Sequence, residues 1–249
     1  EKERENKKSF AGELSEMCRA FNAGGKALLL LIDEVQANHE ELRRLIIAYQ
    51  EMVGEGLDIH IALAGLPTSV SSVLNDHVLT FLNRAQKIVL QPLKTNDISA
   101  YYQKAFAELH IDVDKALLET AAEKAEGSPY LMQLIGHYIA VLSDTADKLS
   151  PAAFSDALEK AAEDYKNDIC QTTLAPLSDG DRNFLVAMAK DDLTVEVEIS
   201  DLAFRLGRTS AYVQTYKRRL LRAGVIEQPR RGKLRFAVPY LKEYLAGLQ

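Results

Sequence analysis

The stretch Lys26-Ala27-Leu28-Leu29-Leu30-Leu31-Ile32-Asp33-Glu34 decides how this chain is read. Its apolar residues run without a break and end in two adjacent carboxylates. A short unbroken apolar run reads as a strand covered on both faces, as in a parallel sheet. The same length suits a buried helix, but the acidic pair at its C-terminal end tips the choice. Ligands of open α/β sheets sit beyond the carboxyl ends of the strands. There, one carboxylate can hold Mg²⁺ while the other orients a water. The plainer reading is a buried strand that runs into an acidic, helix-capping loop.

The segments on either side repeat one rhythm. Residues 1 to about 23 read as a helix, with Phe10, Leu14, Met17, Cys18 and Phe21 on one face, stopped by Asn22-Ala23-Gly24-Gly25. After Asp33-Glu34 a second helix is expected over 39–53, and Leu57 to Gly65 reads as a second strand. A third helix over about 68–82 runs to Asn83-Arg84, and Gln86-Lys87-Ile88-Val89-Leu90 reads as a third strand before Pro92. Strand–helix–strand–helix–strand is the pattern of a parallel α/β sheet.

The pattern changes at Pro92-Leu93-Lys94. From there to about residue 168 only helices are expected: about 96–109, 113–126, 129–144 and one capped by Ser150, a four-helix bundle-like subdomain. Pro129 and Pro151 fall at first helical positions, where a missing N–H costs nothing. A last unit opens near Leu177-Ser178-Asp179-Gly180. Helices are expected over about 180–190, 200–206 and 210–223, with a short extended stretch at Val195–Ile199. The strands Val225-Ile226-Glu227 and Lys233 to Val238 are joined by the turn Gln228-Pro229-Arg230-Arg231-Gly232. Three helices followed by a β-hairpin spell a winged helix-turn-helix. The expected domains are thus an α/β core at 1–92, a helical lid at 93–170 and a winged helix at 171–249.

Composition narrows the class. The chain has 249 residues, 47% hydrophobic and 27% charged, ordinary for a globular protein that buries its own core. No apolar run approaches membrane-spanning length. The charged start Glu1-Lys2-Glu3-Arg4 has no signal core and no initiator Met, which suggests a piece of a longer polypeptide. Cys18 and Cys170 stand alone, without metal-ligand spacing, and suit a reducing cytoplasm. His39, His60, His77, His110 and His137 are scattered and suggest no metal site.

The net charge of −6 hides an asymmetry. Residues 178–249 hold 13 Lys+Arg against 9 Asp+Glu, and from Arg208 to Arg235 nine basic residues face one acidic one, Glu227. They are Arg208, Lys217, Arg218, Arg219, Arg222, Arg230, Arg231, Lys233 and Arg235. A basic block on an acidic chain suggests a polyanion-binding surface. The recognition helix of such a fold enters the major groove of DNA and the wing touches the backbone. The alternative is a winged helix that packs on protein, its charges merely solvated.

These motifs resemble, in order and spacing, the AAA+ ATPases of the P-loop NTPase superfamily, closest to the origin-recognition, STAND-type and archaeal-type branch. Leu28 to Glu34 matches Walker B, Ala62 to Pro67 the strand carrying sensor 1, and Phe81 to Gln86 the arginine-bearing segment before the last core strand. Gly127-Ser128-Pro129 is similar to the turn that opens the lid helix carrying sensor 2. The resemblance implies ATP and Mg²⁺ as cofactors, with Asp33 on the metal, Glu34 orienting the attacking water and Arg84 meeting the γ-phosphate in its own or a neighbouring subunit. Gly127, Ser128 and Pro129 would contact nucleotide from the lid. It also implies double-stranded DNA as partner, a possible homo-oligomer and no membrane.

Three departures qualify the resemblance. No Gly-x-x-x-x-Gly-Lys-Ser/Thr occurs; Gly24-Gly25-Lys26 precedes a strand, whereas a phosphate-binding loop follows one. The expectation is that an N-terminal segment outside these residues supplies that loop and completes the sheet. Gly65 stands about where a polar sensor 1 residue belongs, with Thr68 or Ser69 as substitutes. The sensor 2 arginine would fall near Tyr130, which is not basic; a Gly-x-Pro turn without that arginine is more like the STAND pattern, in which the lid itself contacts nucleotide. The alternative function is therefore a STAND-like signalling ATPase whose winged helix is a regulatory protein-interaction module. A DNA-binding regulator with a degenerate ATPase core is a third.

Overall fold

A computed structural model describes residues 10–36, 39–75, 79–143, 149–190 and 196–248, and of Pro67 and Thr68 the backbone alone. The chain divides into two compact units, Glu1–Val89 and Leu90–Gln249. Among the described residues no helix is long and apolar enough to cross a membrane.

The first unit is built as helix α1 (Phe10–Ala23), strand β1 (Leu28–Ile32), helix α2 (Glu40–Gly54), strand β2 (Ile59–Leu63), helix α3 (Pro67–Leu74) and a 3-10 turn over Thr80–Arg84. The strands pair in parallel, Leu28 beside Ile59 through Ile32 beside Leu63. Leu14 and Cys18 of α1 pack with Ala48 and Met52 of α2 and with Ile59. Leu42 and Ile46 of α2 pack with Val35, Val73, Leu79 and Leu82. Spacings of four, Leu14 to Cys18, Leu42 to Ile46 and Ala48 to Met52, put one stripe of each helix on the sheet.

Two expectations are corrected here. β1 is covered on one face only: Leu28, Leu30 and Ile32 meet the helices, while Leu29 and Leu31 are 57% and 74% exposed. The cause is that α1, α2 and α3 all pack on the same side of the sheet. The strand expected over Gln86–Leu90 carries no ladder; Ile88, Val89 and Leu90 are 75%, 71% and 89% exposed. Apolar sequence sets the propensity of such a stretch, but a strand exists only with a partner for its N–H and C=O groups. The helix expected over 68–82 is α3 and the 3-10 turn, with 76–78, including His77, outside the described residues. Residues 1–9 of the first expected helix and Val195 lie outside them too, as does the side chain of Thr68.

The second unit begins with helices α4 (Thr95–Glu108), α5 (Lys115–Lys124), α6 (Pro129–Leu142) and α7 (Pro151–Tyr165). Ser128 and Ser150 cap α6 and α7 through their hydroxyls, each followed by proline in the first turn. A π-helical turn (Lys166–Cys170) and the short α8 (Gln171–Leu174) lead on to α9 (Asp179–Ala189). Strand β3 (Val197–Glu198), α10 (Ile199–Leu206), α11 (Ser210–Arg222), β4 (Ile226–Glu227), β5 (Lys233–Phe236) and α12 (Leu241–Gly247) follow. The strands form an antiparallel sheet in the order β3-β5-β4.

One apolar core runs from Ile98, Tyr102 and Ile135 through Phe184 and Leu185 to Leu202, Leu220 and Ile226. Tyr102 is buried, its hydroxyl donates to the Met132 carbonyl at 2.7 Å, and burial raises its pKa. The architecture is therefore a mostly helical α/β chain with a small parallel sheet at its start.

Candidate functional site

The acidic loop is built by the ends of two parallel strands. Pairing continues past the ladder: the Ala64 N–H donates to the Ile32 carbonyl at 2.8 Å, and the Val35 N–H to the Ala64 carbonyl at 2.9 Å. Ile32 and Val35 therefore turn inward, and Asp33 and Glu34 are carried outward between them, both exposed. Gly65 makes the close approach possible. A β-carbon there would lie 2.9 Å from Val35 Cγ2 and 3.1 Å from its carbonyl oxygen.

The turn is strained. Glu34 has φ +53, left-handed backbone that costs a residue with a side chain roughly 1–2 kcal/mol. Asp33 Oδ1 accepts the Glu34 N–H at 2.8 Å and ties the loop. The second oxygen of Asp33 and the whole Glu34 carboxylate remain directed to solvent. Two exposed carboxylate side chains offer the hard oxygens that Mg²⁺ prefers, in the one-or-two-carboxylate style of nucleotide sites. The donor set fits a metal held by Asp33 with a water beside Glu34.

The described residues do not form a phosphate cradle. Gly24, Gly25 and Lys26 close the C-terminal end of α1, their N–H groups donating to the carbonyls of Phe21, Asn22 and Phe21 at 2.9–3.0 Å. An anion there would meet carbonyl ends instead of free N–H groups. A cleft of about 270 Å³ opens close after the acidic loop, lined by Gln36, His39, Glu40, Arg43, Ser72 and Val73. Its lining is side chains, not the glycine-rich backbone that cradles phosphates. Arg84 ends the 3-10 turn held by buried Leu82; it is exposed and, among the described residues, forms no ion pair with Asp33 or Glu34.

In the second unit, Gly127-Ser128-Pro129 is a rigid corner. Gly127 has φ +74 and lies against Pro92 and Leu93, whose N–H donates to the Gly127 carbonyl at 2.9 Å. Tyr130, beside it, donates its hydroxyl to Asp168 in the π-helical turn at 2.7 Å, and that bond raises the Tyr130 pKa. Tyr130 thus makes a structural contact within the helices.

The nine basic residues divide into distinct groups. Arg230 pairs with Glu196 at 2.7 Å, Lys233 with Glu198 at 2.6 Å, and Arg235 with Glu227. Arg219 meets Asp181 at 2.7 Å. Among the described residues Arg208, Lys217, Arg218 and Arg231 form no ion pair; Lys217 bonds Gln228, and the Arg208 guanidinium lies 5.4 Å over the Tyr212 ring. Arg222 is exposed near the end of α11.

The cluster of Asp181, Gly180, Tyr216 and Arg219 was not foreseen. Ser178-x-x-Asp181 is a capping-box pattern legible in the chain, but nothing in sequence joins it to a helix some forty residues on.

The fold is one of parallel strands ending in an acidic pair, a helical segment, and a C-terminal helix–strand unit. This is the fold of the AAA+ ATPases of the origin-recognition and archaeal type. Among solved structures it is similar to the Walker-type ATPase PABY2304 of Pyrococcus abyssi, with TM-score 0.71, 18% identity, and 96% of this chain and 69% of that one covered. It is also similar to the ORC2 protein of Aeropyrum pernix, solved as ADPNP–ADP complexes, with TM-score 0.70, 16% identity and coverage of 97% and 70%. Cdc6p of Pyrobaculum aerophilum gives TM-score 0.50 at 16% identity, with 98% and 72% covered. At these identities the likeness is one of fold. Residues 167–245 match the family described as a domain of unknown function, DUF8462. No curated protein matches.

Proposed function

We propose that this chain forms the Walker B, lid and winged-helix portion of an ATP-driven AAA+ switch that binds double-stranded DNA. The observation that carries the reading is the outward Asp33-Glu34 pair at the end of a parallel strand covered on one face, held by a strained turn in a fold shared with ATPases. Strain at an exposed acidic turn is the kind of cost that functional sites retain. The three-part division 1–92, 93–170 and 171–249 belongs to this proposal, as does a cytoplasmic setting.

The sheet supports a further segment. Among the described residues, the outer edges of β1 and β2 are unpaired, the face of Leu29 and Leu31 is uncovered, and Ile88–Leu90 has no ladder. A strand and helix bearing a glycine-rich loop would satisfy all three. In the assembled protein, bound nucleotide supplies the γ-phosphoryl group and Mg²⁺ neutralises its charge. Asp33 would hold the metal, and Glu34 would accept a hydrogen bond from a water and orient it. Arg84 faces developing charge in its own or a neighbouring subunit of an oligomer. Gly127, Ser128 and Pro129 set the lid corner.

Glu34→Gln in protein that includes the loop should abolish hydrolysis and spare ATP binding; unchanged turnover overturns the assignment. These 249 residues alone should bind ATP weakly, and nanomolar affinity would contradict the missing cradle.

A second reading, a STAND-like switch whose winged helix contacts protein, is favoured by Tyr130 near the sensor position and by the basic residues already paired with carboxylates. Titration with duplex DNA at two salt concentrations separates the two, because phosphate contacts make affinity steeply salt-dependent.

A further inference from the structure

The two edges of α11 do different things. Tyr212, Tyr216 and Arg219 recur at helical spacing along one edge, with Arg208 just before the helix. The Tyr212 and Tyr216 rings lie 4.4 Å apart, and the Arg219 guanidinium sits 5.5 Å over Tyr216. This edge is bolted to the N-terminus of α9. Tyr216 lies directly on Gly180, where a β-carbon would come within 2.6 Å of the ring.

Arg219 reaches Asp181, a carboxylate 1% exposed. Asp181 Oδ2 accepts from Arg219 at 2.7 Å, from the Ser178 hydroxyl at 2.6 Å and from the Ser178 N–H at 3.2 Å; Oδ1 is buried and has no partner. A buried carboxylate must keep its cation, because an unpaired charge in the interior is strongly disfavoured. The pairs of Arg230, Lys233 and Arg235 are half-exposed, and such pairs are weak and exchange partners readily. Arg219 alone of these four is committed.

With that edge fixed, a second stripe faces outward. Ala211, Gln214, Thr215 and Arg218 fall at i, i+3, i+4 and i+7, and all are exposed. Their chemistry is that of base edges: glutamine pairs with adenine, arginine with guanine, and a threonine methyl meets the thymine methyl.

We infer that Arg219 is a positioning residue, not a phosphate contact: its pair with Asp181 locks α11 to α9 so that Gln214, Thr215 and Arg218 meet base edges in a DNA major groove. This rests on the DNA reading above. The second stripe is where base preference is set, and the Arg218 guanidinium at its end reads guanine while its charge neutralises the adjoining phosphate.

The test titrates the 249-residue chain into a labelled mixed-sequence duplex across a salt series. R218A should reduce the slope of log affinity against log salt by about 0.9, the value for one contact. R219A and D181N should each weaken binding by about tenfold with the slope unchanged, since they misplace the helix without removing a contact. R219K, which keeps the charge, should partly restore affinity and guards against a folding defect in R219A. Selection from a randomised duplex pool should show Q214A relaxing preference at one or two positions.

A slope change in R219A equal to that of R218A overturns the positioning role, as does tighter binding by D181N, which would mean a phosphate contact released. Base preferences untouched by both Q214A and R218A overturn the stripe. Absence of salt-sensitive binding by the unaltered chain overturns the DNA reading, and this inference with it.

Discussion

Gly127 and Pro92 are in contact that admits no side chain between them. A β-carbon on Gly127 would lie 2.7 Å from Pro92 Cβ and 2.9 Å from the Leu93 carbonyl oxygen, at a φ of +74. Both neighbours are backbone or ring atoms and have little room to give. Gly127→Ala should therefore destabilise the second unit by about 2–4 kcal/mol, the sum of backbone strain and overpacking. Urea unfolding checks this; a loss under about 0.5 kcal/mol would mean that the corner is slack.

Gly180 tests the seat of α11. Gly180→Ala should cost about 1–3 kcal/mol by pushing against the Tyr216 ring. Shortening the ring in Gly180→Ala/Tyr216→Leu should recover part of the loss, with a coupling of at least about 0.5 kcal/mol in a double-mutant cycle. Strict additivity would show that the two residues do not share the site.

Glu34 pays for its place in backbone strain. Glu34→Gly should raise stability by about 1 kcal/mol, since glycine adopts φ +53 freely. Glu34→Gln and Glu34→Ala keep the strain and should leave stability within about 0.5 kcal/mol of the original. A Glu34→Gly chain no more stable than Glu34→Ala would remove the argument that the turn is held for function.

The uncovered sheet face can be probed at Leu31, 74% exposed. Leu31→Thr should change unfolding free energy by less than about 0.5 kcal/mol and reduce self-association in light scattering, because an apolar strand face left open invites partners. A large destabilisation would show the face to be covered.

Cys170 is buried, its thiol donates to the Pro239 carbonyl at 3.5 Å, and burial pushes its pKa up to about 11 from 9.0. The folded value lies above the unfolded one, so its contribution to stability is fully present below about pH 9 and fades as pH rises towards about 11. At pH near 8 the folded chain should resist iodoacetamide at Cys170, and denaturant should expose it. Fast alkylation under native conditions would contradict the burial.

The C-terminal helices were legible because each carries its own local signals. Ser128 before Pro129, Ser150 before Pro151, and Thr209 before α11 mark helix starts whatever the helix later packs on. The first two strands of the α/β rhythm and the helix between them were equally plain, and so was the acidic pair at the end of β1, but the third strand was not. Three short helical pieces, the π-helical turn, α8 and α12, had no comparable punctuation.

The opening stretch shows where sequence stops. Leu28 to Ile32 determined a strand, and Asp33-Glu34 determined that its end is acidic, since both follow from residue type and order. Only the tertiary structure decided that Leu29 and Leu31 face open solvent, that Ile88–Leu90 finds no ladder, and that Glu34 takes a left-handed turn against Val35 and Gly65. It likewise decided that Arg219 belongs to Asp181. Propensity and periodicity act within about one turn of chain, whereas partners for an edge, a face or a buried charge are chosen across tens of residues by packing.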